Sequence, residues 1–379
     1  MTTPQKSQTS PKSEKKRSVS ILSDRTMGEF LMDQRAFIAL IVLIIIFAVL
    51  SENFLTGSNL MTMTRHVAYN ALLALGMLLV IITGGIDLSV GATLALSSVV
   101  AGELLGGVKI PFIDKTAYPS VPVVILVCVL VGAFVGWLNG VLITRFNIAP
   151  FIATLGMMYM ARGAALLISN GATYPHLEGD PALGNTGFDF VGRDRVLGIP
   201  TQIWLMVIVA IVIWFIINKS PFGSWLYATG GNARAASLSG VPVKTVTSRV
   251  YIISGMLAAL AGLVVASELT SGGPQLGNAF EMNAIAAVVI GGASLAGGRG
   301  SVKGALIGAF VIGFLSDGLV LVGISSFWQT FIKGLVIVLA VMLDQAQERL
   351  KQSRAAAAAA ASVKEDRDRG ALEQAPAAK

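Results

Sequence analysis

Apolar residues run in long stretches along most of this chain, and polar residues gather in short interruptions and at the two ends. A helix needs about 20 such residues to cross the hydrocarbon core of a bilayer. Ten stretches qualify: 37–54, 67–86, 89–106, 121–143, 149–169, 200–218, 250–270, 280–297, 302–322 and 326–343. The pattern predicts an all-α polytopic membrane protein of about ten transmembrane helices. The third, eighth and ninth stretches are rich in glycine, so they are expected to be broken or shorter than drawn.

The polar segments set the boundaries. Residues 1–35, rich in Ser, Thr, Lys and Arg, read as a disordered cytoplasmic tail, and 36–345 as the transmembrane domain. The first tail is too long and polar for a signal-peptide n-region, and no small-residue cleavage site follows the first apolar run, so that run is expected to stay as an anchor. Residues 346–379 pass through an alanine run (Ala355–Ala361) into mixed charges, a low-complexity tail. The longest loops between spans are 170–199 and 219–249.

Lysine and arginine placement gives the orientation, because loops rich in them stay cytoplasmic. With the N-terminus inside, the outer loops hold Arg65, Lys109, Lys115, Arg193 and Arg195. The inner loops hold Arg145, Lys219, Arg234, Lys244, Arg249, Arg299 and Lys303, and each tail adds seven more. An even number of spans then leaves both termini cytoplasmic.

Composition agrees with a bilayer. The 379 residues are 54% hydrophobic and 13% charged, against roughly 25% charged in soluble domains. The net charge of +7 fits cationic cytoplasmic loops better than nucleic-acid binding. One cysteine, Cys128, excludes a disulfide framework, and with two histidines it argues against a transition-metal site. No G-x-x-x-x-G-K-[ST] run is present, so the chain carries no phosphate-binding loop of its own.

Two segments echo each other. Asn70-Ala71 precedes an apolar run and then Gly84-Gly85-Ile86-Asp87-Leu88-Ser89-Val90-Gly91, while Asn283-Ala284 precedes another and then Gly291-Gly292-Ala293-Ser294-Leu295-Ala296-Gly297-Gly298. Transporters are often built from two related halves with interrupted helices at the substrate path. Asp87 ends an apolar run, where a carboxylate is costly unless it faces water, a helix end or a cation. It reads either as a cap, with Ser89, on the third span or as part of the substrate path. A third segment, Tyr227 to Val243, predicts a two-turn helix: Asn232 caps it, Ala233–Leu238 forms it, and Gly240 with Pro242 stops it. A helix that short does not fold alone in water, so it needs a partner surface.

These motifs together resemble the permease subunits of bacterial ATP-binding-cassette importers for monosaccharides, of the ribose, xylose and galactose type. The matching residues are Ile82 to Gly91, Phe151 to Gly156 with Arg162-Gly163, Gly230 to Gly240, Ala284 to Gly300, and Phe327-Trp328-Gln329. The resemblance covers roughly 37–345. It implies a type II importer-like fold, a pair of permeases (two copies of this chain or a homologous partner), a cytoplasmic ATPase pair that binds the ATP and Mg, and a periplasmic sugar-binding protein in the inner membrane setting. It also implies that Asn232, Ala233, Arg234, Ala235, Ala236, Leu238 and Gly240 form the coupling helix. Family members commonly carry Glu after the Asn; here Ala233 stands there, followed by Arg234. The five outer cations are then expected to meet acids on the binding protein.

Monosaccharides are neutral polyols, so a path for them should offer amides, hydroxyls and aromatic faces. Asn70, Asp87, Trp137, Asn139 and Asn283 are the candidates, with helix–helix hydrogen bonding or interfacial anchoring as the alternative for the amides and the tryptophan. Arg162, Glu281 and Lys333 lie within or beside apolar runs and are expected in structural ion pairs, for example Lys333 with Asp317. Two other readings stay open: an ion-coupled secondary transporter with Asp87 and Glu281 as ligands, and a permease of the same kind for another small polar solute.

Overall fold

The structure is a computed structural model that describes residues 34–110 and 115–342, with Gln345, Ala346 and Ser353. The two expected tails lie almost wholly outside the described residues. From Ala36 onward the described residues form one compact unit. Its helices are α1 (Arg35–Leu50), α2 (Gly57–Ile82), α3 (Val90–Gly106), α4 (Val121–Thr144), α5 (Pro150–Ser169), α6 (Asp189–Gly192), α7 (Thr201–Lys219), α8 (Pro221–Gly231), α9 (Ala233–Leu238), α10 (Val243–Leu269), α11 (Phe280–Ile290), α12 (Val302–Leu321) and α13 (Ser326–Met342).

Six of these, α2, α4, α5, α7, α10 and α12, are long and apolar enough to cross a membrane. Four shorter apolar helices, α1, α3, α11 and α13, complete the bundle. The eighth predicted stretch, drawn to 297, is helical only to Ile290. At about 1.5 Å per residue its 11 residues reach roughly half of a 30 Å hydrocarbon core. The second stretch, drawn from 67, starts ten residues earlier at Gly57, where the Thr56 side chain accepts the Asn59 amide and caps the helix. Its first turns carry Ser58, Asn59, Thr62, Thr64, Arg65 and His66, so hydropathy alone passed over them.

α2 and α10 form the buried centre, while α4, α5 and α7 turn most of their surface outward. Lipid tolerates that, since its tails are as apolar as a leucine side chain. α10 packs on α4, α2 and α3, and α12 on α2 and α11. The α4–α10 contact is the closest: Gly132, Gly136 and Gly140 form one face of α4, and a methyl group on any of them would meet Gly255, Tyr251 or Ser248. Small residues four apart let two backbones touch in this way.

Short strands occupy the end opposite α9. β1 (Val108–Ile110) pairs with β2 (Lys115–Ala117), β3 (Tyr174–Pro175) with β6 (Ser271–Gly272), and β4 (Arg195–Val196) with β5 (Ile199–Pro200), all antiparallel. The segment 170–199, expected as a long loop, is held down by these pairings and by α6. Ser267 donates to the Phe188 carbonyl (2.7 Å), Gln202 to that of Gly192 (2.9 Å), and Phe188 is fully buried.

Candidate functional site

The first helix break lies between α2 and α3. Gly84 turns the chain in the left-handed region (φ 80°), and Asp87 follows, almost fully buried. One oxygen of its carboxylate accepts the Ser89 amide (3.0 Å) and hydroxyl (2.6 Å), and the other accepts the Ser254 hydroxyl of α10 (2.9 Å). Asn139 of α4 donates to the Ser89 oxygen (2.9 Å), and Thr154 of α5 to the Ile86 carbonyl (3.0 Å). Asp87 thus sits at a polar knot tying the break to three other helices. Beside it the Tyr251 hydroxyl is packed against Gly85, and neither that hydroxyl nor the Asn139 carbonyl oxygen has a hydrogen-bond partner among the described residues.

This arrangement fixes what substitution should do. Asp87→Asn keeps the oxygen that caps Ser89 and places an amide against a hydroxyl that can accept, so folding should survive and activity should stay within a few-fold. Asp87→Leu strands the Ser89 amide and two hydroxyls, at a cost of about 2–4 kcal/mol, and should lower the folded amount in membranes. Thermal unfolding in detergent and transport assays check both; an abundant, folded Asn variant without uptake would show that the charge itself is needed.

Of the other candidates in the substrate path, only Asn139 joins this knot. Asn70, on α2, donates to the His66 carbonyl one turn back (2.9 Å), and its buried oxygen has no partner among the described residues. Trp137 lies on the outward side of α4, stacked on Phe134 with ring centres 5.8 Å apart. Asn283 is half-buried on α11.

The second break, residues 291–301, meets the first. The Gly298 amide donates to the Ile82 carbonyl (2.8 Å). A methyl group on Gly297 would stand 2.8 Å from the Gly230 carbonyl oxygen and 3.1 Å from the Gly84 backbone. One on Gly230, at the end of α8, would collide with the Ile82 carbonyl. Tyr227 of α8 adds a hydrogen bond to the Gly300 carbonyl (2.8 Å). Three chain segments therefore join backbone to backbone, and α9 begins directly from that junction.

α9 has the predicted form. The Asn232 side chain accepts the Ala235 amide (2.9 Å), and Gly240 ends the helix in the left-handed region (φ 87°). Ala233, Arg234, Ala235 and Leu238 face outward, Leu238 at 85% exposure, whereas Ala236 is buried against the chain's own helices. Of the three alanines expected in the coupling helix, Ala233 and Ala235 are exposed and Ala236 is not, because one side of a docked helix must face its own support.

At the other end, a cavity of about 340 Å³ lies among α2, α10 and the approach to α11. Its lining includes His66, Tyr69, Glu268, Gln275, Asn278 and Phe280, with Tyr69 and Phe280 stacked at 5.6 Å. His66 bonds Asp317 (3.0 Å), and Arg65 bonds Glu268 (3.4 Å). Two expectations change here. Asp317 makes its direct ion pair with His66, and Lys333 feels its charge only at longer range; and Arg65 is not a loop cation but lies inside α2, turned onto Glu268. Arg162, expected in an ion pair, donates to the carbonyls of Pro274 and Leu276 and lies within electrostatic reach of Glu281, without a direct salt bridge between them among the described residues. Lys109 and Lys115 sit on the β1–β2 hairpin, Arg195 on β4, and Arg193 beside Asp189 (3.5 Å). Tyr174 donates to Glu103; burial and that carboxylate push its phenol up to about 12.

Sequence reading passed over the residues that α10 supplies, Tyr251 and Ser254, and the aromatic pair at the cavity. The Gly132-Gly136-Gly140 spacing was the available signal for the first, since it marks a close partner helix. For the cavity no local pattern exists.

Interrupted helices around a buried centre and a projecting short helix are features of a transport subunit, and comparison with known proteins agrees. The chain is 45% identical over 314 residues to the ribose import permease protein RbsC of Bacillus subtilis (strain 168), covering 82% of this chain and 91% of that protein. It is 41% identical over 326 residues to RbsC of Escherichia coli (strain K12), covering 84% and 95%. It is 34% identical over 327 residues to the fructose import permease protein FrcC of Rhizobium meliloti, covering 84% and 88%. No solved structure gives a significant match. A family model described as branched-chain amino acid transport system / permease component matches residues 58–341, nearly the whole helical body. With that coverage and these identities, the chain belongs to this family of multi-pass transport permeases.

Proposed function

We propose that this chain is the membrane-spanning subunit of an ATP-binding-cassette importer for a monosaccharide, ribose in first place. A separate ATPase docks on α9 and binds the ATP and Mg; a sugar-binding protein docks at the opposite end; a second permease, a copy of this chain, completes the pore. The observation that carries the reading is α9 itself: an exposed helix with an apolar tip, rooted through Gly230 in both helix breaks. That is the form of an input for force generated outside the chain. The names of the relatives at 41–45% identity favour ribose, and FrcC at 34% keeps hexoses in view. The ion-coupled alternative is less favoured, since three donors of the chain itself already bind the Asp87 carboxylate. The lysine and arginine pattern supports placing α9 and both termini in the cytoplasm.

The test is reconstitution in liposomes with a candidate ATPase and secreted binding protein from the neighbouring genes. Labelled ribose should accumulate only with all three proteins and ATP, and this chain alone should hydrolyse no ATP. Vanadate-sensitive turnover by the chain alone, or accumulation driven by a proton gradient, would sink the reading.

The outer cavity is the vestibule in this reading. Stacked aromatics and amides suit the faces and hydroxyls of a sugar. Phe280→Ala removes one wall of the stack and is expected to cut uptake at least about fivefold, a loss of roughly 1 kcal/mol; unchanged uptake would exclude the vestibule. Lys109, Lys115, Arg193 and Arg195 are the docking cations, since Arg65 is mostly buried against Glu268, whereas Arg193 stays half-exposed beside Asp189. Reversing these four to Glu should slow association of the binding protein, most strongly at low salt, because exposed charges steer encounter. Association rates equal to wild type would remove that role.

A further inference from the structure

A groove of about 480 Å³ runs between α7 and α12, on a face that the described chain leaves uncovered. Met206, Ala210 and Trp214 form one wall, and Leu306 and Phe310 the other; Lys303 is the one polar residue in the lining, and no lining residue is acidic. Lys303 stands at the start of α12, at the α9 end of the bundle. A second cation, Lys219, lies 6.0 Å from the centre of the Trp214 ring. The groove is therefore apolar along its length, with one cation in its lining at one end and a second beside its Trp214 wall.

Its length fits one leaflet. From Lys303 to Phe310 α12 rises about 10 Å, within the roughly 15 Å half-thickness of the hydrocarbon core. The volume lies in the range of small-molecule sites, about 300–1,000 Å³. The geometry points to a seat for one anionic phospholipid, its acyl chain along the groove and its phosphate against Lys303 and Lys219. A helix from a second copy would fill the apolar part but bury two cations, and an unpaired buried charge is costly. A zwitterionic lipid brings a compensating positive charge to the same place. An anionic headgroup neutralises the lysines while they stay at the interface, where each lysine contributes about fivefold in affinity.

Trp214 is a built-in reporter. In a form with Trp137, Trp204, Trp225 and Trp328 changed to Phe, brominated phosphatidylglycerol should quench Trp214 at a mole fraction at least about fivefold lower than brominated phosphatidylcholine does. Lys303→Gln with Lys219→Gln should erase that preference while leaving quenching itself. Equal quenching by both lipids before substitution would overturn the proposal. Should the single-tryptophan form not fold, native mass spectrometry of the otherwise unaltered protein decides: one phosphatidylglycerol should be retained per chain and lost in Ile307→Trp, which fills the groove. No retained lipid, retention unaffected by Ile307→Trp, or a Leu306→Cys crosslink between two copies would each refute the seat.

Discussion

Gly230→Ala is expected to reduce uptake by at least tenfold while the protein remains at normal abundance in the membrane. The added carbon lands on the Ile82 carbonyl and near the Gly298 amide, so it competes with the hydrogen bond that joins the two helix breaks. Overpacking of this kind costs about 1–3 kcal/mol, too little to unfold a bundle whose centre, α2 against α10, lies elsewhere. It is enough to separate α8 from the breaks it should move. The neighbouring glycine supplies the control: a methyl group on Gly231 meets nothing within 4 Å, so Gly231→Ala should keep uptake within about twofold, as surface changes usually do. Uptake at the wild-type rate in Gly230→Ala, measured in the same vesicles, would mean that the junction transmits nothing.

Ala235→Trp should abolish uptake by a different route. Ala235 faces outward on α9 while Ala236 packs inward, so tryptophan at 235 leaves this chain's own packing intact and obstructs only what docks there. The ATPase proposed to dock there should then fail to co-purify, or should hydrolyse ATP without moving sugar. Shape governs a docked contact more than charge does, so Ala235→Glu and Arg234→Glu should each cost much less than the tryptophan. Full uptake in Ala235→Trp would make α9 a plain connector. Ala236→Trp tests something else, the seating of α9 on its own chain, and should lower stability as well as uptake.

Elements defined by neighbours in sequence were legible in advance. α9 could be drawn from Asn232 and Gly240 because a cap and a left-handed stop act within a few residues. The breaks at 84–89 and 291–298 were visible as paired glycines for the same reason. Arg65 and the start of α2 were misplaced because a polar first turn lowers mean hydropathy without ending a helix. Asp87 was recognisable as a costly charge, and one partner, Ser89, was adjacent; the other, Ser254, was not.

Amino-acid order settles the spans because lipid offers no partner to backbone amides, so any sufficiently long apolar run must satisfy its hydrogen bonds within itself. That requirement is local, and it makes α2, α4 or α10 readable from their own residues. It does not say which side of each helix touches another. In water, hydropathy would distinguish an inner face from an outer one; in a bilayer both faces are apolar, and leucine serves equally against lipid and against protein. Close packing therefore decides the rest: Gly136 lies on Tyr251, Gly230 on Ile82, and Arg65 on Glu268 only because the folded bundle brings their backbones and charges within reach.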